Sequence, residues 1–76
     1  MNGIQCRAAR VALGWSVREL AKTASASTQT IVRFEKGEEL RSATIDRIRN
    51  ALEEGGVSFI AADENGGVGI RLKNET

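Results

Sequence analysis

Seventy-six residues, 41% of them hydrophobic, suffice for one small domain but not for a large enclosed active site. With no histidine and one cysteine, the chain offers no usual zinc spacing, no Cys-His or Ser-His catalytic pair and no internal disulfide, so neither metal nor cofactor is expected. Net charge is only +1, yet residues 1–37 carry six basic against two acidic side chains and residues 38–76 five against eight, which gathers positive charge in the first half, as attraction to phosphates requires.

A first helix is expected from an Asn2 cap to Leu13, where Gly14 stops it. Its apolar residues are spread around much of the circumference, so periodicity alone leaves the buried face open. Cys6 reads as a small core residue, because a buried thiol in apolar surroundings is inert, and Trp15 as a packing anchor for the first two helices.

The stretch Ser16 to Gly37 reads as two short helices joined by a tight turn. Ser16 can accept from a backbone N–H that a helix start leaves unpaired, and Leu20, Ala21 and Ala24 give that helix a small apolar face. Ser25-Ala26-Ser27 interrupts the pattern, with Ser27 as the second cap. From Thr28 to Lys36, Ile31 and Phe34 fall on one side, while Thr28, Gln29, Val32, Arg33 and Lys36 share roughly 140 degrees of the other; Gly37 ends the helix.

That outward arc carries the chemistry. Gln pairs in bidentate fashion with adenine and Arg with guanine in the major groove of DNA, so Gln29 and Arg33 are the first candidates for base readout and Thr28 the next. Thr28 and Val32 offer methyl contacts to thymine, and Lys36 lies within reach of a phosphate. A helix, a three-residue turn and a second helix with this outward face make a helix-turn-helix arrangement.

Beyond Gly37, the loop Glu38-Glu39-Leu40-Arg41 leads to Ser42, expected to cap a helix of about a dozen residues whose Ile45, Ile48 and Leu52 close the core. Carboxylates are repelled by phosphates, so Glu38 and Glu39 are expected to turn away from a duplex, toward Arg41. Read instead as catalytic pairs, Glu38-Glu39 and Glu53-Glu54 diverge and lack a partner acid or base, and no enzyme is expected.

Gly55-Gly56 ends that helix and the period changes from 3.6 to 2. Val57, Phe59 and Ala61 alternate with Ser58, Ile60 and Ala62; Asn65-Gly66 signals a two-residue hairpin turn; Val68, Ile70 and Leu72 alternate with Gly69, Arg71 and Lys73. A turn centred there opposes Phe59 to Leu72 and Ala61 to Ile70. A lone hairpin is marginal in water. It must therefore pack on the helices, join a partner's sheet, or do both. With two free edges and an outward Ile60, the expectation is dimerisation through Phe59, Ile60, Ile70 and Leu72; the alternative is a hairpin that caps its own core.

Trp15-Ser16, Glu19-Leu20-Ala21, Ser27, Ile31 and Glu35-Lys36-Gly37 resemble the signature of the Cro/C1 (Xre-like) helix-turn-helix repressors of phages and bacteria, over about residues 4–54. The resemblance implies a mainly α fold: a four-helix λ-repressor-like helix-turn-helix domain over residues 1–54, with its motif at 16–37, followed by the two-stranded β-hairpin at 57–73. GVSFI and GVGIRL also resemble a tail found in a subset of small Xre-like regulators. The resemblance turns Cys6 and Leu13 inward and pairs Arg10 with Glu35, a structural lock, although Arg10 can also be read as reaching a phosphate. Its DNA-backbone positions are Arg10, Ser16, Val17, Ser27, Lys36, Arg41, Ser42 and Thr44.

Two positions depart from the family pattern. Val17 replaces a Gln, leaving only a backbone N–H contact there, and Ser25 replaces a turn Gly, so either Ser25 takes up, at some strain, a conformation that glycine accepts freely or the turn differs slightly. The implied function is sequence-specific transcriptional regulation, most simply repression, by a homodimer on an inverted-repeat operator in double-stranded DNA. The alternative is a protein-binding helix-turn-helix module of the antitoxin or anti-activator type, motivated by the modest net charge and Glu38-Glu39. No apolar run spans a bilayer and no charged-then-apolar leader is present, so a cytoplasmic, bacterial or phage-derived protein without a membrane partner is expected.

Overall fold

Each of the first three helices begins on a side chain that accepts from its own backbone. In the computed structural model, which describes residues 1–73, helices α1 (Gly3–Ala12), α2 (Val17–Thr23), α3 (Thr28–Glu35) and α4 (Ser42–Gly55) precede strands β1 (Val57–Ile60) and β2 (Gly69–Leu72). Asn2 Oδ1 accepts from Gln5 N at 2.8 Å, and Gln5 Oε1 from Asn2 N at 2.9 Å, a capping box. Ser16 and Glu19 repeat the arrangement at α2, and Ser27 Oγ accepts from Thr30 N at 3.0 Å at α3. Ser42 does not cap α4. It is the first helical residue, and the cap position belongs to Arg41, whose carbonyl accepts from Thr44 and Ile45 and whose side chain makes no capping bond.

The same three helices also end alike. Trp15 N donates to Arg10 O, Ala26 N to Ala21 O and Glu38 N to Arg33 O, the six-residue closure that needs a left-handed residue just before the donor. Those residues are Gly14 (φ 72°), Ser25 (φ 55°) and Gly37 (φ 99°). Of the two outcomes open at this turn, Ser25 takes the first: it stands in a glycine's place.

Cys6, Ala9, Leu20, Ala21, Ala24, Ile31, Phe34, Ile48, Ala51, Leu52 and Val57 form the core. Leu20, Ile31, Ile48 and Leu52 are fully buried, each contributing about 1.5–3 kcal/mol in area removed from water. Leu13 and Trp15 are half-buried against this core. Gly3 lets the start of α1 lie on the end of α3, since a Cβ there would collide with the Phe34 carbonyl oxygen. Gly55 makes room for the Trp15 indole, whose ring atoms a Cβ would meet at 2.7 Å.

The hairpin is antiparallel, but its register differs from the expected one by two residues. Phe59 opposes Ile70 and Val57 opposes Leu72, not Phe59 with Leu72 and Ala61 with Ile70. The turn loop is Glu64-Asn65, flanked by Asp63 and Gly66. Asp63 Oδ1 takes the Asn65 N–H at 2.8 Å, and neither Asn65 nor Gly66 has the positive φ that an Asn-Gly turn of the primed type requires. An even slip keeps every side chain on its expected face, so Val57, Phe59, Ile70 and Leu72 still share one side.

That side lies on the chain's own helices: β1 packs on α4 and β2 on α1. Val57 is buried, Phe59 and Ile70 are half-buried against the core, and the Arg49 guanidinium sits 5.7 Å from the centre of the Phe59 ring. The hairpin therefore caps its own core, and Phe59 and Ile70 are core-facing rather than free for a partner. Gln5, buried at 5% exposure, pins it there. Its Nε2 donates to Ile60 O at 3.2 Å and Gly69 O at 3.0 Å, the last paired position before the strands separate.

Candidate nucleic-acid interface

The geometry of α3 follows from its amphipathic pattern. Ile31 and Phe34 are buried, and their burial turns Thr28, Gln29, Val32, Arg33 and Lys36 outward, where all five are exposed. Two rows run along this surface at one-turn spacing. Gln29 and Arg33 form a polar row, and Thr28 and Val32 an apolar one, Val32 being 38% exposed. Among the described residues, neither Gln29 nor Arg33 is held by an intramolecular side-chain hydrogen bond. Their donors and acceptors are free to meet base edges in the major groove.

The far end of α3 is fixed to α1. Arg10 Nε donates to Glu35 Oε2 at 2.8 Å and Nη2 to Glu35 Oε1 at 3.0 Å, while Nη1 donates to the Trp15 carbonyl at 3.0 Å. The pair is largely buried, with side chains 13% and 9% exposed, and the bond to Glu35 raises the Arg10 pKa above its ordinary value. With one donor from each of its three nitrogens engaged inside the fold, Arg10 locks α1 to α3. The Cys6 thiol lies 3.8 Å from Glu35 Oε2; burial first, then the carboxylate, push its pKa up to about 12, so it stays a protonated core residue.

The remaining backbone positions divide. Ser16 and Ser27 are exposed and use their hydroxyl oxygens as caps; Val17 is half-buried against the core with its N–H in the first turn of α2. At Ser16 the Glu19 carboxyl, bonded to the Ser16 backbone and hydroxyl, is held below the usual carboxylate range. Lys36, Arg41 and Ser42 are exposed and Thr44 is half-buried at the start of α4. Glu38 and Glu39, three and two positions before Arg41, are exposed, and among the described residues neither forms an ion pair with it. Sequence reasoning missed Gln5, whose partners lie 55 and 64 residues away, and Arg47, whose Nε reaches the Ala24 carbonyl at 3.4 Å across the turn. Neither carries a local signal.

Among the described residues no cluster of His, Cys, Asp and Glu could hold a metal ion, and no helix is long and apolar enough to cross a membrane. No curated protein matches the chain. The helix-turn-helix family model matches residues 7–60, which takes in all four helices except the first turn of α1, together with β1. With a capped α2, a Schellman turn at Ser25 and an α3 that turns its polar row outward, the chain belongs to the Cro/C1-type helix-turn-helix family of DNA-binding regulators.

Proposed function

We propose that this regulator is a repressor that recognises an inverted-repeat operator as a homodimer and works in the cytoplasm of a bacterial cell. One observation carries the reading: Gln29 and Arg33 stand one turn apart, exposed, on the face of α3 opposite Ile31 and Phe34. Arg33 reads a guanine and Gln29 an adenine, with Thr28 beside them and the Val32 methyls against thymine. Ser16, the Val17 N–H, Ser27, Lys36, Arg41, Ser42 and Thr44 set the register on the phosphates. A regulator that sits on its site in this way blocks polymerase.

A single α3 spans only a few base pairs, so two copies about a symmetry axis are needed for useful specificity, their reading helices about 34 Å apart. We assign residues 1–54 to DNA binding and residues 57–73 to dimerisation. With Phe59 and Ile70 engaged by the chain's own helices, the dimer contact rests on the free strand edges, half-buried Ile60 and exposed Leu72. Selection of bound sequences from random duplex DNA tests the whole reading. An inverted repeat with half-site centres one helical turn apart supports it, and a single unrepeated site or no enrichment overturns it.

One observation favours a protein partner as a second reading: the outer face of α1 leaves Ile4 75% and Val11 61% exposed. A chain that served only this role would give no specific shift with any duplex.

A further inference from the structure

On the flank of α3 nearer α4 lies an open cleft of about 520 Å3, bounded by the α2–α3 turn on one side and the start of α4 on the other. Its walls carry the hydroxyls of Ser25, Ser27, Thr30 and Thr44 and the guanidinium groups of Arg41 and Arg47, with Glu39 the one acidic side chain. Arg47 is exposed, yet its Nε reaches across to the Ala24 carbonyl at 3.4 Å, which directs the guanidinium toward the turn rather than along α4. The Ser27 and Thr30 hydroxyls lie 2.7 Å apart on the opposite wall. Ser27 and Thr30 share one of their two hydroxyl protons between them; the other, with the Ser25 and Thr44 hydroxyls and two forked cations in the same lining, suits a tetrahedral oxyanion carrying one charge, and the Glu39 carboxylate leaves the cleft with a net charge of +1.

We propose that this cleft seats one phosphodiester of the duplex and that Arg47 is a DNA-backbone contact, beyond the loop and helix-start positions assigned above. The inference rests on the DNA-binding reading. The cleft opens beside the N-terminal end of α3, where Thr28 and Gln29 project, so a phosphate held there fixes how far the reading helix is advanced along the groove. Arg47 thus sets position and affinity, and it carries no base preference. Glu39 works against it, so the two residues act on the same phosphate with opposite sign.

Fluorescence anisotropy with the selected duplex and with a scrambled duplex, over a series of salt concentrations, tests this on the full chain. Arg47→Gln should lower the slope of log K against log salt by about 1 on both duplexes, leaving their affinity ratio unchanged. Glu39→Gln should tighten both, and Arg47→Lys should retain most of the slope, results that a folding defect at these positions would not produce. Unchanged slopes in Arg47→Gln and unchanged affinity in Glu39→Gln, in a chain whose Arg33→Ala variant still loses operator preference, would overturn the cleft while leaving the reading helix intact. A wild-type chain with no salt-dependent binding to either duplex would overturn both.

Discussion

Arg10 and Glu35, 25 residues apart, meet in a two-bond clamp at 2.8 and 3.0 Å that ties the last turn of α1 to the last residue of α3. Removing either partner strands the other in a site with little access to water. Glu35→Ala should therefore cost about 3 kcal/mol in urea unfolding, whereas a Glu35→Leu, Arg10→Met pair should recover much of it. Equal losses in the single and double variants would show that the clamp contributes packing rather than charge pairing.

Ser25 carries a φ of 55° at the position where the neighbouring helix ends use glycine. Ser25→Gly should raise stability by about 1 kcal/mol, since the left-handed conformation costs an L-residue roughly that much. Thermal melting of the two proteins side by side decides it, and a lower midpoint in the glycine variant would contradict the account.

At the reading helix, Arg33→Ala should cost about 1–3 kcal/mol on the operator and relax preference at one base position. Lys36→Ala should weaken specific and scrambled duplexes alike and flatten the salt dependence. A matched set of binding titrations separates the two, because an equal loss on both duplexes in the Arg33 variant removes it from base readout.

Gln5 satisfies three backbone groups at once: the Asn2 N–H and the carbonyls of Ile60 and Gly69. Gln5→Leu removes the amide's bonds to all three and should cost about 1–3 kcal/mol, with faster amide exchange in residues 57–60 and 69–72 than in α2 and α3. Uniform acceleration across the chain would mean that the amide does not hold the hairpin in particular.

The Cys6 thiol gives stability a distinct alkaline signature. Its pKa is 9.0 in an open chain and about 12 in the fold, so the folded state keeps a proton that the unfolded chain releases; the associated stability is full below pH 9 and is lost as pH rises from 9 toward 12. Cys6→Ala should be less stable at neutral pH because of the gap it leaves, yet decline less steeply above pH 9. Urea midpoints across that range provide the comparison, and parallel curves would refute the assignment.

What could be read from the residues was mostly local. Asn2, Ser16 and Ser27 mark helix starts because each bonds within its own first turn, and Gly14 and Gly37 mark ends because left-handed backbone suits glycine. The outward row on α3 follows from two buried positions, Ile31 and Phe34. The strand register was not legible, since a slip of two preserves every face and the Asp63 carboxylate competes for the turn that Asn65-Gly66 advertises. The start of α4 was misread by one residue because Arg41 caps it through its backbone carbonyl and not a side chain, while the direction in which Phe59 packs and the reach of Gln5 and Arg47 depend on segments far apart in the chain, where spacing carries no signal.

Helix α3 is gripped at three points: Ser27 at its start, the Gly3 backbone against Phe34, and the guanidinium of Arg10 on Glu35. None of these anchors belongs to the exposed row, so residues 28, 29, 32 and 33 form an interchangeable cassette on an unyielding mount. New side chains at those four places would rewrite the preferred DNA letters without disturbing the scaffold beneath them.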